Sequence, residues 1–153
     1  MLTAFRRSSR YRGPANRTRG SAVVEISLIA PWFLFLFIGV VDMGFYCYDL
    51  IAVENAARVA AEYTSTGTDK AADSTGACTR ALAELASLSN MSGVSSCNGS
   101  PLTVTATSVS GLAGSGTDTK VNVTYQTQQL IPIPGLLQGQ FTFSRTVRAR
   151  VKT

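Results

Sequence analysis

Two spacings in this sequence carry chemistry. Gly20 precedes Glu25 by five residues, in Gly20-Ser-Ala-Val-Val-Glu25, and Cys78 precedes Cys97 by nineteen. A cut after Gly20 would make Ser21 a new N-terminus with a cationic α-amine. Glu25 would then stand about one helical turn away, where the helix dipole favours a carboxylate. In a helical stack, Glu25 of one subunit could pair with the new amine of its neighbour. The plainer alternative is that Glu25 only reaches up to the membrane surface. An ionisable group in an apolar helix is expensive, which makes Glu25 a functional candidate by default. Cys78 and Cys97 are candidates for a disulfide, which in the chain-entropy model contributes roughly 3 kcal/mol for a loop of that size. Cys47 is left over and is expected to be a buried free thiol.

The same inventory excludes much. The chain has 153 residues, three cysteines and no histidine. Without His there is no Ser-His-Asp triad, no Cys-His nucleophile and no His-based metal site. Three cysteines cannot complete a four-thiolate zinc site. The glycines form neither a phosphate-cradling Gly-Lys-Ser/Thr loop nor a dinucleotide fingerprint. No enzyme, cofactor or metal is expected, and a membrane-tethered hydrolase is disfavoured for want of a convergent carboxylate pair.

The elements that position Glu25 follow from charge and hydropathy. Residues 1–20 hold Arg6, Arg7, Arg10, Arg12, Arg17 and Arg19 and no acid, whereas the rest carries 8 basic and 9 acidic side chains. A basic arm can bind nucleic acid. This one runs straight into an apolar stretch, where arginines hold their side of a membrane helix in the cytoplasm. No nucleic-acid partner is expected. From Ile26 to Val41 only Ser27 is neither apolar nor small, and a span at about 22–48 exceeds the ~20 residues needed to cross a bilayer. Asp42 interrupts it, Tyr46 and Tyr48 stand where an aromatic belt would mark the far interface, and Pro31 should kink it modestly. A cleaved secretory signal would be shorter and would end at a small-x-small site; here bulky Phe45, Tyr46 and Tyr48 follow.

A basic leader, a glycine, four residues, a glutamate and then an apolar helix resemble the class III signal of type IV pilins and pseudopilins. The wider set is more specific: Gly20-Ser-Ala-Val-Val-Glu25 through Pro31, Gly39-Val-Val-Asp42-Met-Gly44, and Asn55-Ala-Ala-Arg58-Val-Ala-Ala-Glu-Tyr63. Over about residues 17–66 the chain is similar to the TadE-like family, minor pseudopilins of the tight-adherence (Tad/Flp) pilus system. The resemblance implies processing between Gly20 and Ser21 by an aspartyl prepilin peptidase. It also implies a place in the inner membrane, and partnership with other pseudopilins and with pilus assembly platform proteins.

Downstream the pattern predicts an α+β body. The long helix should run past the membrane to about Thr66, with Glu54, Arg58 and Glu62 at i, i+4 spacing. Ala52, Ala56, Ala60 and Tyr63 form a second stripe, suited to close packing within the chain or against another subunit. Gly67 should end the helix and Asp69 should cap a second one over about Lys70–Leu88. Asn90–Ser100 reads as loop. The period then changes to two, predicting strands around Leu102–Thr107, Val121–Gln126 and Phe141–Val151, with Gly111–Asp118 joining the first pair. Ile131, Ile133, Leu136 and Leu137 lie in the second connection. They either pack back on the sheet or form an exposed contact for lipid or a partner. Arg145, Arg148, Arg150 and Lys152 should form a solvated basic face that protects an edge strand.

The expected organisation is a basic leader at 1–20, a long helix at 21–66 and an exported α+β domain at 67–153. Its sheet should be antiparallel and three-stranded. A second functional class fits the same features, an uncleaved single-pass membrane scaffold.

Overall fold

The structure is a computed structural model that describes residues 19–111, 116–128 and 140–152. The residues before Arg19 and the connection carrying Ile131, Ile133, Leu136 and Leu137 lie outside the described residues. The chain divides into two compact units, Met1–Val40 and Val41–Thr153.

Helix α1 is Arg19–Thr64, 46 residues with Pro31 inside it. At ~1.5 Å per residue it is about 70 Å long. Every side chain from Ala22 to Phe37 is exposed. Apart from Glu25 and Ser27, the residues from Ala22 to Phe37 are apolar or small on all sides, the pattern of a helix meant for lipid rather than for one packed face. Ser27 donates its hydroxyl to the Val24 carbonyl at 2.8 Å, so this polar side chain is satisfied within the helix.

In the second unit, the last turns of α1 bury Val53, Ala56, Ala57, Ala60 and Ala61. These small side chains bring the helix axis close to the sheet. On the exposed side Arg58 Nη2 donates to Glu54 Oε1 at 2.6 Å. Helix α2 is Ser74–Leu85 and buries Ala77, Ala81 and Leu85. It is shorter than expected, and its cap is Asp73 rather than Asp69. Asp73 Oδ1 accepts from the backbone N–H groups of Thr75 and Gly76 at 3.1 and 3.0 Å. Just ahead of it the Ala71 carbonyl accepts from the Thr119 hydroxyl at 2.8 Å, tying this stretch to the sheet. Residues 67–73 instead make tight turns, including Lys70 N to the Gly67 carbonyl and Asp73 N to the Lys70 carbonyl.

A 3₁₀ turn at Ser89–Met91 leads to the sheet. Its strands are β1 (Asn98–Gly99), β2 (Leu102–Ser110), β3 (Thr117–Gln126) and β4 (Thr142–Arg150), antiparallel in the order β1-β2-β3-β4. The sheet has four strands, not three. The added strand is two residues long, too short to show any alternation. It pairs Asn98 with Thr103 and Gly99 with Leu102, and Val104 N donates to the Cys97 carbonyl at 3.1 Å just before it.

The inner face buries Leu102, Val104, Ala106, Val121, Val123, Tyr125 and Phe143 against both helices. Arg148 and Arg150 stand on the outer, exposed face as expected. Arg145 does not: it pairs with Val123 on the inner side and is half-buried. An arginine stem can lie along apolar surface while its head reaches water, and an inward charge also discourages edge-to-edge pairing. Asp118 is buried and accepts from Arg148 Nε at 3.0 Å; Arg148 Nη2 also reaches the Ser110 carbonyl, two strands away.

Candidate functional site

Gly20 and Ser21 lie in the first turn of α1, in helical backbone. Ser21 and Glu25 are positions i and i+4 of one helix, neighbours on the same face with a rise of ~6 Å between them. Glu25 is exposed, as are the apolar side chains that follow, Ile26, Leu28 and Ile29. The helix is long and apolar enough to cross a membrane.

Cys78 and Cys97 are joined by a disulfide with Cα atoms 5.8 Å apart, which ties α2 to the segment before β1. Cys97 is buried. Beside the bond lies a cleft of about 200 Å³ lined by Ser74, Thr75, Cys78, Ser95, Cys97 and Asn98. Its walls offer hydroxyls and an amide, and no general acid or base. Cys47 is free but exposed rather than buried, since no described residue packs over that side of α1. Among the described residues, no group of three or more His, Cys, Asp or Glu could hold a metal ion.

Two features were not legible in the sequence. The first is a polar knot at the top of α2. Tyr63 donates its hydroxyl to Asp73 Oδ2 at 3.0 Å, and a Cβ at Gly76 would run into the Tyr63 ring. The bonds from Gly76 N–H, Tyr63 and Thr75 hold the Asp73 carboxyl below its ordinary range, against a smaller opposing effect of burial. The bond to Asp73 in turn raises the Tyr63 phenol. The second is an aromatic cluster. Tyr46 of α1 meets Phe143 edge-on at 4.5 Å between ring centroids and Phe141 at 5.4 Å. The alternating pattern shows Phe141 and Phe143 as one strand face, but it gives no sign of which helical residue meets them.

No curated protein matches the chain, and no solved structure does. The family model described as TadE-like protein matches residues 20–62. The match starts at Gly20 and takes in Glu25, Pro31, Asp42 and the Asn55-Ala-Ala-Arg58 segment, the residues on which the resemblance was read. Over residues 20–62 this chain is similar to the TadE-like family.

Proposed function

We propose that the chain is a minor pseudopilin that assists assembly of a Tad/Flp adhesive pilus. One observation carries the reading: the TadE-like match begins at Gly20 and falls on a helix that is long and apolar enough to cross a membrane and is exposed on every side from Ala22 to Phe37. In this reading a prepilin peptidase cuts between Gly20 and Ser21, removing a leader of residues 1–20. Helix α1, from Ser21 after the cut to Thr64, spans the inner membrane at about 22–48, and residues 67–153 are the exported domain. The six leader arginines keep the N-terminus cytoplasmic. The disulfide supports an oxidising compartment for the C-terminal domain, because such bonds persist outside the reducing cytosol. Glu25 recruits neighbouring subunits by pairing with a freed N-terminal amine, an ionisable group in an apolar helix being expensive to keep without a role. Other pseudopilins, the assembly platform and inner-membrane lipid are the partners.

The test is the intact mass of the protein extracted from membranes of its own host. A species lacking residues 1–20 is expected. A full-length species in peptidase-competent cells would overturn processing and move the role to an uncleaved single-pass scaffold.

A further inference from the structure

The second unit contains an exposed aromatic that its own fold holds in place. Phe141 is 52% exposed, yet its backbone is fixed on both sides. Its N–H donates to the Thr127 hydroxyl at 3.0 Å, and its carbonyl accepts from Thr127 N at 2.8 Å. The ring stands edge-on to Tyr46. Phe45, Tyr46 and Tyr48 occupy different sides of α1 within one turn, and Phe45 and Tyr48 are also about half exposed. Tyr48 comes within 3.3 Å of the Ser87 hydroxyl. Three aromatics thus ring the helix where its apolar run ends, and Phe141 adds a fourth from the sheet at the same level. A single exposed Phe needs no explanation. One continuous with an aromatic belt does, because rings of this kind settle at the boundary between hydrocarbon and headgroups.

We infer that Phe141 is a lipid-interface anchor: the end of the sheet where β4 begins rests on the outer surface of the bilayer. The occupant is phospholipid, at the headgroup and upper acyl level. Continuity with the belt supports this choice. So does the chemistry of the patch, two phenols with polar tips beside two purely apolar rings. Anchoring fixes the tilt of the body on the membrane, and this contact must be released before the subunit can leave the bilayer. The inference rests on the reading of residues 22–48 as a membrane span.

The experiment uses the full chain in phospholipid vesicles, with bromine on acyl carbons close to the glycerol in one set and near the chain end in another, the deep position reporting Trp32 and the shallow one residue 141. Two proteins are compared: the wild type, whose one indole is Trp32, and a Trp32→Phe/Phe141→Trp variant. Lipid bromine is expected to quench both, and aqueous iodide to quench the indole at 141 only weakly. Quenching of Trp32 together with an iodide-accessible, bromine-insensitive indole at 141 would overturn the anchor and leave the membrane span intact. An indole at 141 shielded from both quenchers, and increasingly so with protein density, would assign the patch to a second copy and overturn the lipid contact. An unquenched Trp32 would overturn the span and the anchor together. A photoreactive phospholipid applied to the wild-type protein avoids any question of variant folding. Adducts mapped to Phe141 support the anchor, and adducts confined to residues 22–48 overturn it.

Discussion

At the scale of single residues, the top of α2 is held by a few short polar contacts. Asp73 caps the helix and accepts from Tyr63. Its carboxyl is held below the ordinary 3.8, first by the Gly76 N–H and then by Tyr63. A lowered folded-state pKa adds stability above the unfolded value and loses it as pH falls through the folded one. Asp73→Asn keeps a cap but loses the charge, so it should melt below the wild type at neutral pH. The gap should close as the solution is acidified below about pH 4. Asp73→Ala should melt lower still; thermal melts across pH check both. Gly76→Ala tests the packing. Ala is the better helix former by about 1 kcal/mol, yet its Cβ would push on Tyr63. A net loss of ~1–3 kcal/mol, the usual range for overpacking, is expected in denaturant titration. Tyr125 gives the opposite pH sign. Its hydroxyl is pushed up to about 12, mainly by burial and further by the nearby Asp49, with the Asn90 hydrogen bond working against them. Below the ordinary value of 10 its contribution is complete, and it is lost as pH rises towards 12. Tyr125→Phe should therefore flatten the alkaline fall in the denaturation midpoint.

At the scale of elements, α2 is held by the disulfide at one position and by core packing along its length. Cys78 and Cys97 close a loop of 19 residues in sequence. Replacing both with Ser should remove roughly 3 kcal/mol, seen as an earlier denaturation midpoint that reductant no longer shifts. Leu85 is fully buried, and Leu85→Ala should cost about 2–5 kcal/mol, because the site cannot collapse fully around the smaller side chain. Element identity was largely readable from periodicity: the long helix, the second helix and three strands all appear where the pattern put them. Boundaries were less so. Asp69 and Asp73 are equally good caps by residue type. The structure puts the cap at Asp73, which accepts from the Thr75 and Gly76 N–H groups and from the Tyr63 hydroxyl of the preceding helix. Strand β1 was missed because two residues carry no period. Arg145 was misplaced because its charge was read without its parity on β4.

At the scale of the whole molecule, the proposed role makes Glu25 the point of contact between subunits. Glu25→Ala should leave the disulfide and the thermal melt of the body unchanged while abolishing pilus assembly in the host. Piliation counts beside a non-reducing gel of the same membranes check this. Normal assembly with Glu25→Ala would favour the uncleaved scaffold. The division of labour explains why the two readouts should separate. Residues 22–37 make their contacts with whatever surrounds the helix, since they are exposed in the chain itself. Residues beyond Val53 make theirs with the sheet.

The sequence by itself determined the features that depend on neighbours along the chain. These are the basic leader, the apolar helix, the Gly20–Glu25 spacing, the TadE-like motif set and the period of each strand. All of them follow from local composition and spacing, which folding does not change. The tertiary structure decided the features that depend on residues far apart in sequence. It selected Asp73 as the cap and added β1 beside the Cys97 segment. It left Cys47 exposed and set Phe141 against Tyr46. The Tyr46–Phe141 contact joins residues 95 apart, and the short β1 pairing of Asn98 with Thr103 has no period to read, so no local pattern carries that information.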